Sequence, residues 1–223
     1  FNASVTGYAF ESKSFVFPSD LYSGESATVW FVSHDANGNL TCTGNPCFTG
    51  NKIQVCWGKE GTDPNSTTTP APALVVSIIY LTSHGDYTTA QIARVVADPN
   101  NTRRSLNSFS EPDPGTCGVA GFAFNKIIDF GNGGLKLLPA SIYQQPNGLQ
   151  LARLNFLYNT NVRHPVAVNV DFANNSTLPA QGIAIDSKGE AGGSTRRVGV
   201  IRGFRELPGV FENVVFSYGG ITK

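Results

Sequence analysis

The stretch Val166-Ala-Val-Asn-Val-Asp-Phe172 alternates Val or Phe with Ala, Asn and Asp along its length. A period of two is the side-chain period of a β-strand that places one face on a core and the other toward water. Leu149 and Leu151 repeat this period less regularly just upstream. We therefore predict two β-strands here, paired as a hairpin around residues 159–164.

Further strand-like runs extend in both directions from this stretch and share two features. Each is rich in Val, Ile, Phe or Tyr, and each is bounded by Gly, Asn, Asp or Pro. Leu74–Leu81 is almost continuously apolar, which predicts a central strand covered on both faces. The predicted strands are Ala27–Ser33, Ile53–Trp57, Leu74–Leu81, Val119–Ile128, Leu149–Tyr158, Pro165–Phe172, Gly182–Asp186, Arg197–Arg205 and Val210–Tyr218.

Helix is predicted only at Thr88–Val96, with Thr88 as N-cap and an end before Asp98. The fold class that follows is mainly β, with antiparallel sheets arranged like a sandwich and little helix. The polar, proline-rich segment Gly61–Pro72 is predicted to be a loop. Glu190–Ser194 separates two strands that are predicted to form a hairpin.

The glycine-rich break Gly131–Gly134 suggests a division of the chain. Residues 1–130 would form a disulfide-containing, β-rich head region, and residues 131–223 a β-rich C-terminal region without cysteine. One continuous domain is the alternative, because the composition does not change sharply at this point.

Composition favours an extracellular or cell-surface protein. Charged residues make up only 14% of the chain and the formal net charge is +0, so no global field attracts nucleic acid or an acidic membrane. No run approaches 18 apolar residues, and we expect no membrane contact by this stretch of chain itself. Methionine is absent even at position 1, which indicates a processed or trimmed chain.

Four cysteines suit disulfides better than zinc. No second pair at metal-ligand spacing follows Cys42 and Cys47, and no histidine lies near them in sequence. Three connectivities are open to four cysteines. We favour Cys42 with Cys47, which bracket a Gly-Asn-Pro turn, and Cys56 with Cys117. Disulfides imply an extracytoplasmic compartment.

The sequence predicts no catalytic residue and no cofactor. There is no Gly-x-Ser-x-Gly and no phosphate-binding glycine loop, and the carboxylates are scattered. His34, His84 and His164 lie beside turn residues, where an exposed imidazole is the ordinary outcome.

Two clusters are candidate binding sites. Asp35, Asn37 and Asn39 place oxygen ligands at alternate positions around Gly38, as calcium loops do, although Pro46 stands where an EF-hand needs glutamate. The alternative is an Asn-Gly hairpin turn joining the strand before it to the chain that enters Cys42.

The second cluster is basic and is a candidate site for DNA or another anion. On an extended strand Arg196 and Arg202 share one face with Val198 and Val200. The opposite face would carry the remaining two members of the cluster, Arg197 and Arg205. Such arginines can bind the phosphates of DNA. The alternative is that they prevent the edge strand from pairing with the edge of another sheet.

The C-terminal part resembles type IV pilin-like proteins, and minor pilins in particular. The resemblance lies in Gly182-Ile-Ala-Ile-Asp-Ser-Lys-Gly-Glu-Ala-Gly-Gly-Ser-Thr-Arg-Arg-Val-Gly-Val-Ile-Arg202, followed by Leu207-Pro-Gly-Val-Phe-Glu-Asn-Val-Val-Phe-Ser-Tyr-Gly-Gly220. It implies a pilin-type sheet with an elaborated β head. The chain departs from the family at its start, which lacks the long apolar anchor helix.

The resemblance implies a non-enzymatic subunit of a surface filament, with a structural or adhesive role and with other pilus subunits as partners. The alternative is an extracellular binding module or glycoprotein ectodomain that recognises carbohydrate or DNA. A secreted hydrolase is a third class. Six Asn-x-Ser/Thr sequons, which are also explained by turn chemistry, begin at Asn2, Asn39, Asn65, Asn100, Asn174 and Asn175.

Overall fold

The computed structural model describes residues 2–9 through their backbone, and residues 12–44, 46–171, 177–191 and 193–206 in full. Thirteen strands lie in this part of the chain: β1 Asn2–Ala9, β2 Ser14–Val16, β3 Ser26–Trp30, β4 Ser33–His34, β5 Leu40–Thr41, β6 Lys52–Lys59, β7 Ala73–Leu81, β8 Ala90–Ala97, β9 Phe122–Asp129, β10 Leu149–Leu157, β11 Val166–Asn169, β12 Gly182–Ala191 and β13 Ser194–Gly203. One α-helix, α1, spans Asn101–Asn107, and short 3-10 helices span Tyr87–Thr89 and Ile142–Gln144. The predicted mainly-β, antiparallel fold with little helix is confirmed.

Eight strands form two four-stranded antiparallel sheets. The first sheet has the order β2-β11-β6-β9 and the second the order β3-β10-β7-β8. When only these eight strands are counted, from one to eight along the chain, the order in the first sheet is 1-8-3-6. The order in the second sheet is 2-7-4-5. This order is that of a jelly roll, in which distant strands wrap around each other as paired Greek keys.

A single apolar cluster fills the space between the two sheets. Alternate residues of each strand point inward, and the largest fully buried side chains include Trp57, Phe31, Phe130 and Phe156. In β7 the inward residues Leu74, Val76 and Ile78 are fully buried and the strand lies inside its sheet, as predicted, but its outer face is only partly covered.

The sandwich joins residues from both sides of the 131–134 break. Strand β10 lies between β3 and β7, and β11 lies between β2 and β6. The ranges 1–130 and 131–223 therefore contribute residues to one core in the described part of the chain.

Strands β10 and β11 do not form the predicted hairpin. Strand β10 pairs with β3 and β7, whereas β11 pairs with β2 and β6 in the other sheet. The prediction was wrong because a period of two identifies a strand and its buried face but carries no information about its partner.

The predicted helix over Thr88–Val96 was also wrong. Residues Ala90–Ala97 form β8, which pairs with β7 along its whole length. A short apolar group such as Ile92, Val95 and Val96 fits either period, and pairing with a buried neighbour decides between them. The α-helix begins instead after Asn100, whose side chain accepts a hydrogen bond from the backbone N–H of Arg103 at 2.8 Å.

A third sheet has the order β1-β12-β13. The hairpin predicted around Glu190–Ser194 is confirmed, because β12 and β13 pair from Gly182 with Gly203 to Ala191 with Ser194. All ten residues of β13 are exposed, and no described strand pairs with its outer edge. The predicted strand Val210–Tyr218 lies outside the described residues.

Both predicted disulfides are present, Cys42 with Cys47 and Cys56 with Cys117. The second fastens the loop before β9 to the outer face of β6. There the side chain of Gln54 accepts the backbone N–H of Gly118 at 3.1 Å and an amide N–H of Asn169 at 3.2 Å. This outer face is therefore covered by a buried polar network, which explains why the run around Cys56 is buried on both sides.

We expect the two disulfides to differ in their effect on stability. The bonds close loops with sequence separations of 61 and 5 residues. Chain entropy then predicts a loss of about 4 kcal/mol in the free energy of unfolding for Cys56→Ala/Cys117→Ala, against about 2 kcal/mol for Cys42→Ala/Cys47→Ala. Urea unfolding of both double variants checks this order, and equal losses would contradict it.

Candidate functional site

The segment predicted as either a calcium loop or a turn forms the turn of the β4–β5 hairpin. The carboxylate of Asp35 accepts backbone N–H groups of Asn37 and Asn39, both at 2.8 Å, and the side-chain amide of Asn39 at 3.0 Å. These hydrogen bonds, led by the one from the Asn39 side chain, lower the pKa of Asp35. The geometry favours the turn, since three N–H donors surround the carboxylate.

His34, at the start of this turn, lies between two aromatic rings. Its imidazole stacks on Phe204 with 3.8 Å between ring centroids and meets Trp30 edge-on at 4.6 Å. Burial lowers the pKa of His34, and its buried Nδ1 has no hydrogen-bond partner among the residues that the structure describes. The ring is therefore an aromatic support that joins the turn to the residue following β13.

A cavity of about 370 Å³ lies between this turn and the base of the β12–β13 hairpin. The structure thus brings together members of the two candidate sets, Asp35 and Asn37 from one and Arg202 and Arg205 from the other. The residues that line the cavity are His34, Asp35, Ala36, Asn37, Gly38, Ile183, Arg202, Gly203, Phe204 and Arg205.

The four arginines of the basic cluster differ in their surroundings. Strand register places Arg196 and Arg202 opposite Gly189 and Ile183, on the same face of the sheet, as the alternation predicts. Arg197 pairs with Asp186 at 3.1 Å, which neutralises its charge locally. Within the described ranges, Arg196, Arg202 and Arg205 make no ion pair or hydrogen bond through their side chains.

A larger groove of about 790 Å³ lies on the outer face of the sheet β3-β10-β7-β8. Its two arginines are already engaged with the protein. Arg163 pairs with Glu25 at 3.1 Å and donates to the carbonyl of Asp20 at 2.6 Å, and Arg94 donates to Ser77 at 3.2 Å. We therefore place the candidate site at the smaller cavity, where the guanidinium groups are available.

His164 is buried, whereas its place beside turn residues predicted an exposed imidazole. Nδ1 of His164 accepts the backbone N–H of Lys59 at 3.2 Å, and burial lowers the pKa of His164. In the part of the chain that the structure describes, no three His, Cys, Asp or Glu side chains cluster as metal ligands would. None of the described helices is long and apolar enough to cross a membrane.

The sequence did not predict two residues of the cavity lining, His34 as an aromatic support and Phe204 as its stacking partner. Phe204 lies between Arg202 and Arg205, so it was close to a cluster already identified, but no pattern connects it with a residue 170 positions earlier in the chain.

Comparison of the chain with protein-family models, with curated proteins and with solved structures gave no match.

Proposed function

We propose that this protein is a non-enzymatic, extracellular subunit of a surface assembly, as its resemblance to minor pilins implies. The observation that carries the proposal is strand β13, a ten-residue edge strand exposed along its whole length. Val198, Val200 and Ile201 are 56%, 52% and 52% exposed on it. A long edge strand with exposed apolar side chains favours pairing with another chain.

Charge and covalent structure agree with this role. Strand β13 carries three arginines and no acidic residue, while β1, at the opposite edge of the same sheet, carries no charged residue. Pairing of β13 with β1 of the next copy avoids the repulsion between arginines that pairing of β13 with itself would bring. Such a head-to-tail contact repeats from copy to copy, which is how open filaments form. The two disulfides suit an oxidising, extracellular location.

A second candidate is a closed shell, which the strand order favours. Jelly rolls are common in viral capsid proteins and in lectins. Electron microscopy of concentrated protein separates the two candidates, because filaments support the first and closed particles the second. Protein that stays monomeric at every concentration would overturn both.

The contact through β13 is tested by Val200→Lys, with Ile92→Lys as a matched control. Ile92 is 48% exposed and lies on β8, an edge strand of the sandwich, so it resembles Val200 in exposure and setting. Burial of one valine side chain contributes about 1.5–3 kcal/mol, so we expect Val200→Lys to raise the concentration needed for assembly at least about tenfold. Sedimentation across a concentration series measures this. Equal effects of the two substitutions would place the contact elsewhere.

A further inference from the structure

We propose that the cavity at the base of the β12–β13 hairpin binds a sugar that carries a carboxylate, such as a uronic or sialic acid. This inference concerns ligand binding by a single copy and does not rest on the proposed assembly. Two arginines, the polar groups of a turn and an aromatic support line this cavity.

Arg202 and Arg205 supply the anion-binding half of the site. Both residues are exposed and line the cavity, and neither side chain makes an ion pair or hydrogen bond with the described residues. A guanidinium presents its N–H donors in a planar fork that matches the two oxygens of a carboxylate. Other described arginines, such as Arg103 and Arg163, have their donors engaged by acids and carbonyls of the protein.

The turn supplies groups suited to hydroxyls. A carboxylate offers about four acceptor positions, and three of those of Asp35 are taken by the N–H donors of the turn. Oδ2 accepts only one of these three bonds, so it can also accept a hydroxyl proton. The side-chain amide of Asn37 makes no hydrogen bond with the described residues, so it can both donate to and accept from a hydroxyl.

The walls of the cavity suit a sugar ring better than a nucleic-acid strand. Phe204, held by its stack on His34, and Ile183 add apolar surface beside the polar groups. A volume of about 370 Å³ lies in the range of small-molecule sites. Binding of DNA needs several phosphate contacts along an extended basic surface, whereas Asp35 adds negative charge here and Asp186 neutralises Arg197.

The test is titration calorimetry of the whole chain with glucuronic acid and N-acetylneuraminic acid, with glucose, inorganic phosphate and a short oligonucleotide as comparison ligands. We expect an acidic sugar to bind, and glucose and phosphate to bind at least about tenfold more weakly. Glucose lacks the carboxylate that would accept hydrogen bonds from the arginines, and phosphate lacks the sugar hydroxyls that would contact the turn. Arg202→Gln and Arg205→Gln should each weaken acidic-sugar binding by about tenfold or more.

Arg196→Gln is the matched control, because Arg196 is an exposed arginine on the same face of β13 as Arg202 but does not line the cavity. We expect it to leave sugar binding within about twofold of the unchanged protein. Melting temperatures confirm that each variant is folded. The inference is overturned if neither acidic sugar binds, if glucose or phosphate binds equally well, or if Arg196→Gln weakens binding as much as Arg202→Gln. Salt-dependent binding of the oligonucleotide that all three arginines share would identify a nucleic-acid surface instead.

Discussion

Asp98→Ala lowers the free energy of unfolding by about 3–5 kcal/mol, the range for removal of one partner from a buried ion pair. The side chain of Asp98 is fully buried at the end of β8. Its carboxylate accepts hydrogen bonds from Arg103 Nη2 at 2.6 Å and Nε at 3.0 Å, from Asn107 Nδ2 at 3.1 Å and from the backbone N–H of Asn100 at 2.9 Å. Alanine leaves these donors, one of them a guanidinium only 19% exposed, without their acceptor.

Urea unfolding followed by tryptophan fluorescence measures the loss. Glu111→Ala is the control, because Glu111 is 76% exposed and its carboxylate lies 3.7 Å from Arg104. An exposed pair at this distance contributes between 0 and about 1 kcal/mol. Replacement of both partners, Asp98→Ala with Arg103→Met, should cost less than the sum of the single changes. A loss below about 1 kcal/mol for Asp98→Ala would contradict the expected role of the pair.

Trp57→Ala is expected to cost about 3–5 kcal/mol, as truncation of a fully buried tryptophan does elsewhere. Trp57 is fully buried in the core, and its indole Nε1 donates a hydrogen bond to the carbonyl of Pro72 at 2.9 Å. Phe124 of the neighbouring strand lies 5.7 Å away between ring centroids. Truncation therefore opens a cavity between the sheets and also leaves a carbonyl without its donor.

The chain offers its own comparison in Trp30→Ala, since Trp30 is only partly buried and its ring lies beside His34 at the base of the hairpin. We expect a loss of about 1–2 kcal/mol for that substitution, because less apolar surface returns to water. Each variant keeps one tryptophan as a fluorescent reporter. If Trp57→Ala costs no more than Trp30→Ala, the core between the two sheets is not packed around Trp57.

The two proposals place different demands on the same hairpin. Assembly would use the outer edge and the apolar side chains of β13, whereas the sugar site would use the base of the hairpin where Arg202 meets the turn after His34. Val200→Lys and Arg202→Gln therefore separate them, because each substitution addresses one surface. The four neighbouring arginines are not equivalent, because Asp186 neutralises Arg197 whereas Arg202 and Arg205 line the cavity.

Local chemistry alone predicts a large part of this molecule. The alternation in residues 166–172, the apolar run in β7 and the glycines between β12 and β13 indicate strands and a hairpin, because side-chain period and turn residues act over a few positions. The pairing of Cys42 with Cys47 and of Cys56 with Cys117 was also expected and is present. The alternation also predicted that Arg196 and Arg202 lie on one face of β13, because the register of a hairpin follows from its own turn.

Partners across long distances in the chain are decided only by the tertiary structure. Strand β10 lies between β3 and β7 rather than beside β11, and β8 is a strand because β7 offers it a ladder of hydrogen bonds. The same holds for the cavity, where His34 and Asp35 meet Arg202 and Phe204. Local patterns choose which face of an element is buried, but the burial of that face against another element depends on the whole core, and no short stretch of sequence contains that information.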